Sequence, residues 1–303
     1  MSKPGSGKIL VIRGGAIGDF VLTLPALKLL RESLPSAHVE VLGYRPMIDL
    51  ALMAGYADAA RSIEYSAMAG FFAPGSNLDP DLEAYFSSFS VVISYLFDPD
   101  DFFVGNLERA GVETVVRCPY KIDESGEHAS RQLAAPLEEL AMWLDDAAAV
   151  IPGAELHRDL VAWHPGSGSP KKNWSPEKWA DVFVKLGIDE LLLISGEAEE
   201  ERMAEIESAL ESRGVRFTSA RGVGFEDLCT QLRRVRVFFG HDSGIAHLAA
   251  ACGAPCVLVF GPTDPDVWAP ANEGVLVVRA PDGELERLEV EDVVALVETR
   301  GLL

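Results

Sequence analysis

The sequence predicts an α/β protein with parallel sheets, divided into two domains, and three observations carry that reading. Short apolar runs of strand length end in Gly-rich turns that lead into helices, most clearly after Lys8–Arg13, Leu160–His164 and Val235–Phe239. The stretch from Val235 onward completes a strand–turn–helix–strand unit, with a small-residue helix over Ile245–Cys252, a Gly253-Ala254-Pro255 stop and a second strand at Cys256–Phe260. At 303 residues the chain is long for one core, so two domains of about 150 residues are expected.

In the first half, Lys8–Arg13 reads as a strand and Gly14–Gly18 as its turn, with a helix opened by Asp19 and carried by Leu22, Ala26, Leu29 and Leu30 at helical spacing. Gly5-Ser6-Gly7-Lys8 imitates the end of a phosphate-binding loop, but it lacks the leading glycine and runs into a strand. The 14–18 turn also lacks the dinucleotide fingerprint. Asp19 has two readings, a helix cap or a carboxylate at a strand's carboxyl end that accepts a proton. His38–Gly43 is the second strand, Pro46–Ala54 a helix and Ala67–Pro74 an irregular apolar loop, read as buried in preference to a lid or a membrane-facing tip. Val91–Leu96 is a further strand. The acids Asp98, Asp100 and Asp101 after it are read as a solvated turn, because nothing is spaced to complete a metal site. His128 starts a helical stretch, and Asp145–Arg158 is the interdomain linker.

In the second half, Leu160–His164 enters Pro165–Trp174, a Gly/Ser turn with two lysines, and Ser175-Pro176-Glu177 starts a helix. Such a turn suits anion binding through N–H, hydroxyl and ammonium groups, or it is a plain surface loop. Glu190–Ser195 is a strand followed by the acidic helix start Gly196–Arg202. Most of these acids are expected to form a solvated face, with Glu197 the one able to reach a ribose. At Gly240–Gly244, Asp242 and Ser243 either cap a structural helix or open a phosphate-binding N-terminus. A parallel sheet brings the turns at 164–172, 195–197 and 240–244 to one edge.

Composition narrows the partners. Hydrophobic content of 48% with 24% charged residues is ordinary for a globular enzyme. No apolar run reaches the ~18 residues of a membrane span, and no signal-type stretch precedes the first strand. Cys118, Cys229, Cys252 and Cys256 lack paired spacing and are expected as reduced core thiols. Net charge is −21, with −10 in residues 1–150 and −11 in the remainder, so neither half has the basic face of a nucleic-acid or anionic-lipid binder.

RGGAIGDFVLTLPALKLL, HPGSGSPKKNW and GHDSGIAHLAAACGAPCVLVFGPTDPDVWAP, in that order, resemble the signature segments of the heptosyltransferase family of bacterial glycosyltransferases, family 9. The resemblance implies a GT-B architecture of two Rossmann-like domains with parallel sheets facing across a cleft. Residues 1–153 would form the acceptor-side domain and 154–303 the nucleotide-sugar domain, with the last helix, Glu289–Thr299, crossing towards the first. The family's usual reaction transfers heptose with inversion from ADP-L-glycero-D-manno-heptose to the inner core of lipopolysaccharide.

Position by position, the resemblance puts Asp19 at the catalytic base and Gly18 beside the donor. Ser167, Gly168, Ser169 and Lys172 fall on the phosphate loop, Glu197 on the ribose contact and Val223 near the adenine. Asp242, Ser243, Gly244 and His247 fall on the helix that receives the diphosphate and sugar. Lys172 would neutralise the leaving group, so no divalent metal and no cofactor beyond the donor are expected. The implied partners are a nucleotide-sugar and a glycan or glycolipid acceptor, met by a cytoplasmic monomer with at most peripheral contact at the inner membrane. The acidic first half leaves two expectations, a local basic patch within it or an acceptor less anionic than the family's usual one, and the second is preferred. Two other readings stand beside transfer: a sugar-nucleotide epimerase on the same scaffold, and a non-catalytic nucleotide-binding module.

Overall fold

The computed structural model describes residues 7–64, 66–154 and 156–303. Gly5 and Ser6 of the dismissed phosphate-loop look-alike, and Glu155 in the expected linker, lie outside the described residues. The chain forms two compact units, Met1–Ala147 and Ala148–Leu303. The boundary therefore falls earlier than the expected 153. The Ile151 N–H donates to the Ala251 carbonyl at 2.8 Å, and Arg233 Nη2 donates to the carbonyls of Ile151 and Pro152, which fixes this stretch to the second unit.

The first unit holds strands β1 (Lys8–Arg13), β2 (His38–Gly43), β3 (Ala59–Ser62), β4 (Val91–Ser94) and β5 (Val115–Arg117). Its helices are α1 (Ile17–Ser33), α2 (Asp49–Met53), α3 (Pro80–Phe86), α4 (Phe102–Arg109) and α5 (Ala129–Ala134). The strands form one parallel sheet in the order β3-β2-β1-β4-β5. From β1 the chain winds outward through β2 and β3, then returns to β4 on the other side. The β1/β4 junction is therefore a topological switch point, where open α/β sheets leave a crevice at the carboxyl edge.

The α1 helix is buried along nearly its whole length, which is why Phe20–Leu27 reads apolar without a clear polar face. The expected irregular loop at 67–74 contains a 3₁₀ turn, Ser66–Phe72, whose Phe71 enters the core against Phe86 and Phe103. His128 caps α5 by accepting the Ser130 N–H, and Pro136 then ends regular α-helix in favour of a 3₁₀ turn, Ala135–Leu140.

The second unit holds β6 (Leu160–Trp163), β7 (Glu190–Ser195), β8 (Arg216–Arg221), β9 (Val235–His241), β10 (Cys256–Phe260) and β11 (Val275–Arg279). Its helices are α6 (Pro176–Lys185), α7 (Met203–Ser212), α8 (Phe225–Leu232), α9 (Gly244–Ala251), α10 (Pro265–Trp268) and α11 (Val290–Arg300). All six strands are parallel, in the order β11-β10-β9-β6-β7-β8, so the switch point lies between β6 and β9.

One face of this sheet carries an aromatic cluster. The Trp179 ring stacks on Phe183 at 5.9 Å and meets Trp174 edge-on at 5.2 Å. In α11, Val290, Val293 and Val297 join this same core, with the helix packed on α6, because those three positions form its apolar stripe. All four cysteines are free and buried. Among the described residues no helix is long and apolar enough to cross a membrane.

Candidate active site

Each unit gathers its chemistry at the carboxyl edge of its sheet. In the first, α1 begins at Ile17 rather than at Asp19, so Asp19 is the third helical residue. Its Oδ2 accepts the Ala16 N–H at 2.9 Å, and Thr23 Oγ1 donates to its carbonyl at 2.8 Å. Arg13, the last residue of β1, is buried and reaches Asp19 with Nη2 3.3 Å from the carbonyl and 3.6 Å from Oδ1. Burial lowers the Arg13 pKa, and Asp19 opposes that shift. The Asp19 side chain remains 41% exposed. The cap reading and an accessible carboxylate therefore hold together. Gly18 lies half-buried in the first turn of the same helix.

In the second unit the turns after β6, β7 and β9 are tied by side chains. Lys172 Nζ donates to Asp242 Oδ2 at 2.7 Å, and Thr263 Oγ1, from the turn after β10, donates to the same oxygen at 2.8 Å. Ser243 caps α9 by accepting the Ala246 N–H, which leaves Gly244 as the first helical residue and His247 buried one turn further in. Ser243 Oγ lies 3.4 Å from His164 Nδ1, while His164 Nε2 lies 3.7 Å from Glu199 Oε2.

Glu199 departs from the expected solvated acid face. It turns back, accepts the Gly196 N–H at 2.8 Å and is buried under the Gly166 turn. Burial alone would raise its pKa, but His164 and the Gly196 N–H hold it below the ordinary carboxylate value. Glu197 stays exposed at the start of the 3₁₀ segment Glu197–Arg202. Val223 is half-buried in the turn after β8.

The strand β9 runs through Gly240 and His241, where a turn was expected, and this places His241 inside the protein. Its Nε2 accepts the backbone N–H of Trp174 at 2.8 Å and the indole N–H of Trp179 at 3.0 Å. Burial, reinforced by His164 and Arg202, lowers its pKa to about 3, so the ring is neutral. His241 thus pins the end of the lysine-bearing turn to the strand that presents Asp242. Within that turn, Ser167 Oγ lies 2.7 Å from the Ser169 carbonyl and 2.6 Å from Asn173 Oδ1, with Gly168 exposed between them. The hydroxyl of Ser167 therefore already shapes the loop.

The acids after β4 also have local partners. Asp98 accepts the N–H groups of Phe103 and Val104 at the start of α4, and Asp101 pairs with Arg117. Sequence reasoning missed Arg13, Glu199, His241 and Thr263 as members of these clusters. Three of them stand at or just past strand ends, where the signal was available; Glu199 needed the path of the following turn.

Two parallel-sheet units, each with its polar residues at a switch point, and one presenting a cation beside a helix N-terminus, define an α/β protein of the GT-B class. The chain belongs to glycosyltransferase family 9 (heptosyltransferase), whose family model matches residues 118–297. It is 28% identical over 131 residues to lipopolysaccharide heptosyltransferase 1 of Escherichia coli O18:K1:H7, a match covering 42% of this chain and 39% of that protein. The chain thus spans about two fifths of that relative's length. Among solved structures it resembles the family 9 glycosyl transferase of Veillonella parvula DSM 2008, with a TM-score of 0.78, 18% identity and coverage of 97% and 96%. It also resembles the E. coli heptosyltransferase WaaC with ADP, with a TM-score of 0.71, 18% identity and coverage of 96% and 99%.

Proposed function

We propose that the chain is an inverting glycosyltransferase that moves a heptose from ADP-heptose to a hydroxyl of a lipopolysaccharide-core or other surface-glycan acceptor. The first unit serves the acceptor and the second the nucleotide-sugar. One observation carries the reading over simple nucleotide binding: Asp19 is held by the Ala16 N–H and Arg13, yet keeps 41% of its side chain open.

The chemistry follows from the groups available. The acceptor oxygen attacks the anomeric carbon on the face opposite the diphosphate, its proton passes to the Asp19 carboxylate, and the bond from the anomeric carbon to the diphosphate oxygen breaks. Charge developing on the departing ADP is met by Lys172 and by the positive dipole end at the start of α9. Lys172 releases Asp242 when a diphosphate takes its place, which frees that carboxylate for sugar hydroxyls. Glu197 and Val223 serve the ribose and adenine. In this reading no divalent ion and no further cofactor is needed. The excess of acid in the first half, −10 over residues 1–150, favours an acceptor with few phosphates. The protein works as a cytoplasmic monomer with at most peripheral contact at the inner membrane.

The test is Asp19→Asn. Transfer from ADP-heptose falls by ~10²–10⁴, the usual contribution of a general base, while calorimetric ADP affinity is kept. Undiminished turnover in this variant would place the base elsewhere. An epimerase would instead convert the nucleotide-sugar without acceptor.

A further inference from the structure

Two of the most exposed aromatic rings of the first unit stand together. Phe97 and Tyr120 are 57% and 52% exposed, and their ring centroids are 4.5 Å apart. They flank a cavity of about 250 Å³ whose wall also includes Ser94, Leu96, Asp98 and Arg117. Leaving two adjacent rings open to water forgoes apolar burial, which marks such a patch as a contact surface.

Its position is informative. Ser94 and Arg117 end β4 and β5, and Ser94 is in register with Ile12 of β1. The cavity therefore lies at the carboxyl edge, on the β4 side of the switch point, one strand from the turn that leads into the helix bearing Asp19. A Cβ placed on Gly14 would lie 3.8 Å from Leu96 Cδ2, so the cavity wall packs directly beside that turn.

We propose that this cavity is a subsite for one uncharged pyranose ring of the acceptor, stacked on Phe97 and Tyr120; this rests on the transferase reading above. One face of a pyranose is a set of C–H bonds, apolar and slightly positive, which suits the electron-rich face of an aromatic ring. Its rim is hydroxyl groups, which need fixed polar partners. Asp98 and Arg117 supply them, Asp98 held by two backbone N–H groups and Arg117 by Asp101.

The alternatives fit less well. A lipid chain would bury Asp98 and Arg117 without replacing their hydration. A sugar acid would meet two carboxylates, Asp98 and Asp101, against one guanidinium. The cavity is smaller than the ~300–1,000 Å³ of sites for drug-sized ligands, so it encloses one ring and not a longer glycan.

Saturation-transfer NMR on the intact protein without nucleotide tests this, using the methyl glycosides of glucose, galactose, mannose and N-acetylglucosamine, methyl glucuronide, and hexyl glucoside. At least one neutral methyl glycoside should receive saturation on its ring C–H protons, roughly fivefold more than the glucuronide. Phe97→Ala and Tyr120→Ala should each reduce the signal at least fivefold, and Tyr120→Phe should keep it, with thermal unfolding and ADP affinity unchanged in all three. The subsite is overturned if no neutral glycoside is saturated, if the signal survives both alanine variants, if the glucuronide binds better, or if only the hexyl tail is saturated. Failure of the wild type to bind ADP in calorimetry would sink the donor reading alone and leave the glycoside result standing.

Discussion

Lys172 Nζ lies 2.7 Å from Asp242 Oδ2, and Thr263 Oγ1 reaches the same oxygen at 2.8 Å. Three turns of the second unit thus converge on one carboxylate oxygen, and the ammonium that would face a diphosphate is held in place before any ligand arrives.

Lys172→Met should therefore weaken ADP binding by about 10- to 100-fold, the span expected for one charge-assisted hydrogen bond, as read by calorimetry. The same change strands the buried Asp242. Because Lys172 itself is partly open to solvent, the loss of stability should stay at roughly 1–3 kcal/mol in urea unfolding. ADP affinity equal to wild type would remove Lys172 from the phosphate loop.

Gly15 should tolerate no side chain. Its φ is +95°, and a Cβ there would lie 2.6 Å from Asp19 Oδ2. Gly15→Ala should push the carboxylate off the Ala16 N–H and cost roughly 1–3 kcal/mol from backbone strain. In kinetics kcat should fall at least tenfold with ADP affinity unchanged, since the disturbance stays in the first unit.

Gly166 is constrained by close approach rather than by its backbone angles. A Cβ on it would lie 1.8 Å from Glu199 Oε1. Gly166→Ala should displace Glu199 from His164 and the Gly196 N–H, lowering stability by about 2–4 kcal/mol. The double variant Gly166→Ala/Glu199→Ala should recover part of that loss, which double-mutant unfolding measurements will show.

His241 predicts a pH dependence of stability. Folded, it takes a proton only near pH 3; in the unfolded chain the ordinary value near 6.5 applies. Between those limits the unfolded state binds more protons. Stability therefore falls as pH drops from about 6.5, with a slope from this group approaching ~1.4 kcal/mol per pH unit, and does not change through this group above pH 7. Urea unfolding at pH 7, 6, 5 and 4 checks the slope, and His241→Gln, which keeps an acceptor for the two tryptophan N–H groups, should flatten it.

The sheets and the edge that carries the polar residues were legible because central parallel strands are continuous apolar runs closed by glycine turns. β1, β2, β7 and β10 match their expected limits for that reason. Four strands escaped notice. β3 (AARS) and β8 (RFTSAR) have polar, part-exposed sequences, β5 is three residues long, and β11 (VLVVR) is apolar but only part-buried; all four lie at sheet edges, where one neighbour is missing and the apolar requirement lapses. Asp19, Lys172 and Asp242 could be singled out from turn chemistry alone. Their partners could not: Lys172 meets Asp242 across 70 positions and Trp179 meets His241 across 62, so no local pattern reports either pairing. Glu199 was hidden differently, by standing in a run of acids that ordinarily faces water.

Both sheets are laid down from the middle outward. β1 and β6 are each the earliest strand of their unit, yet each is flanked on both sides in the finished sheet. The second flank of β6 is β9, which is synthesised only after β7, β8 and three helices have passed. Until then β6 offers an open backbone edge, so the nascent second unit is exposed to mispairing for longer than its outer strands suggest. Trimming β11 and α11 would shave a border, whereas any lesion in β6 would split the sheet in two.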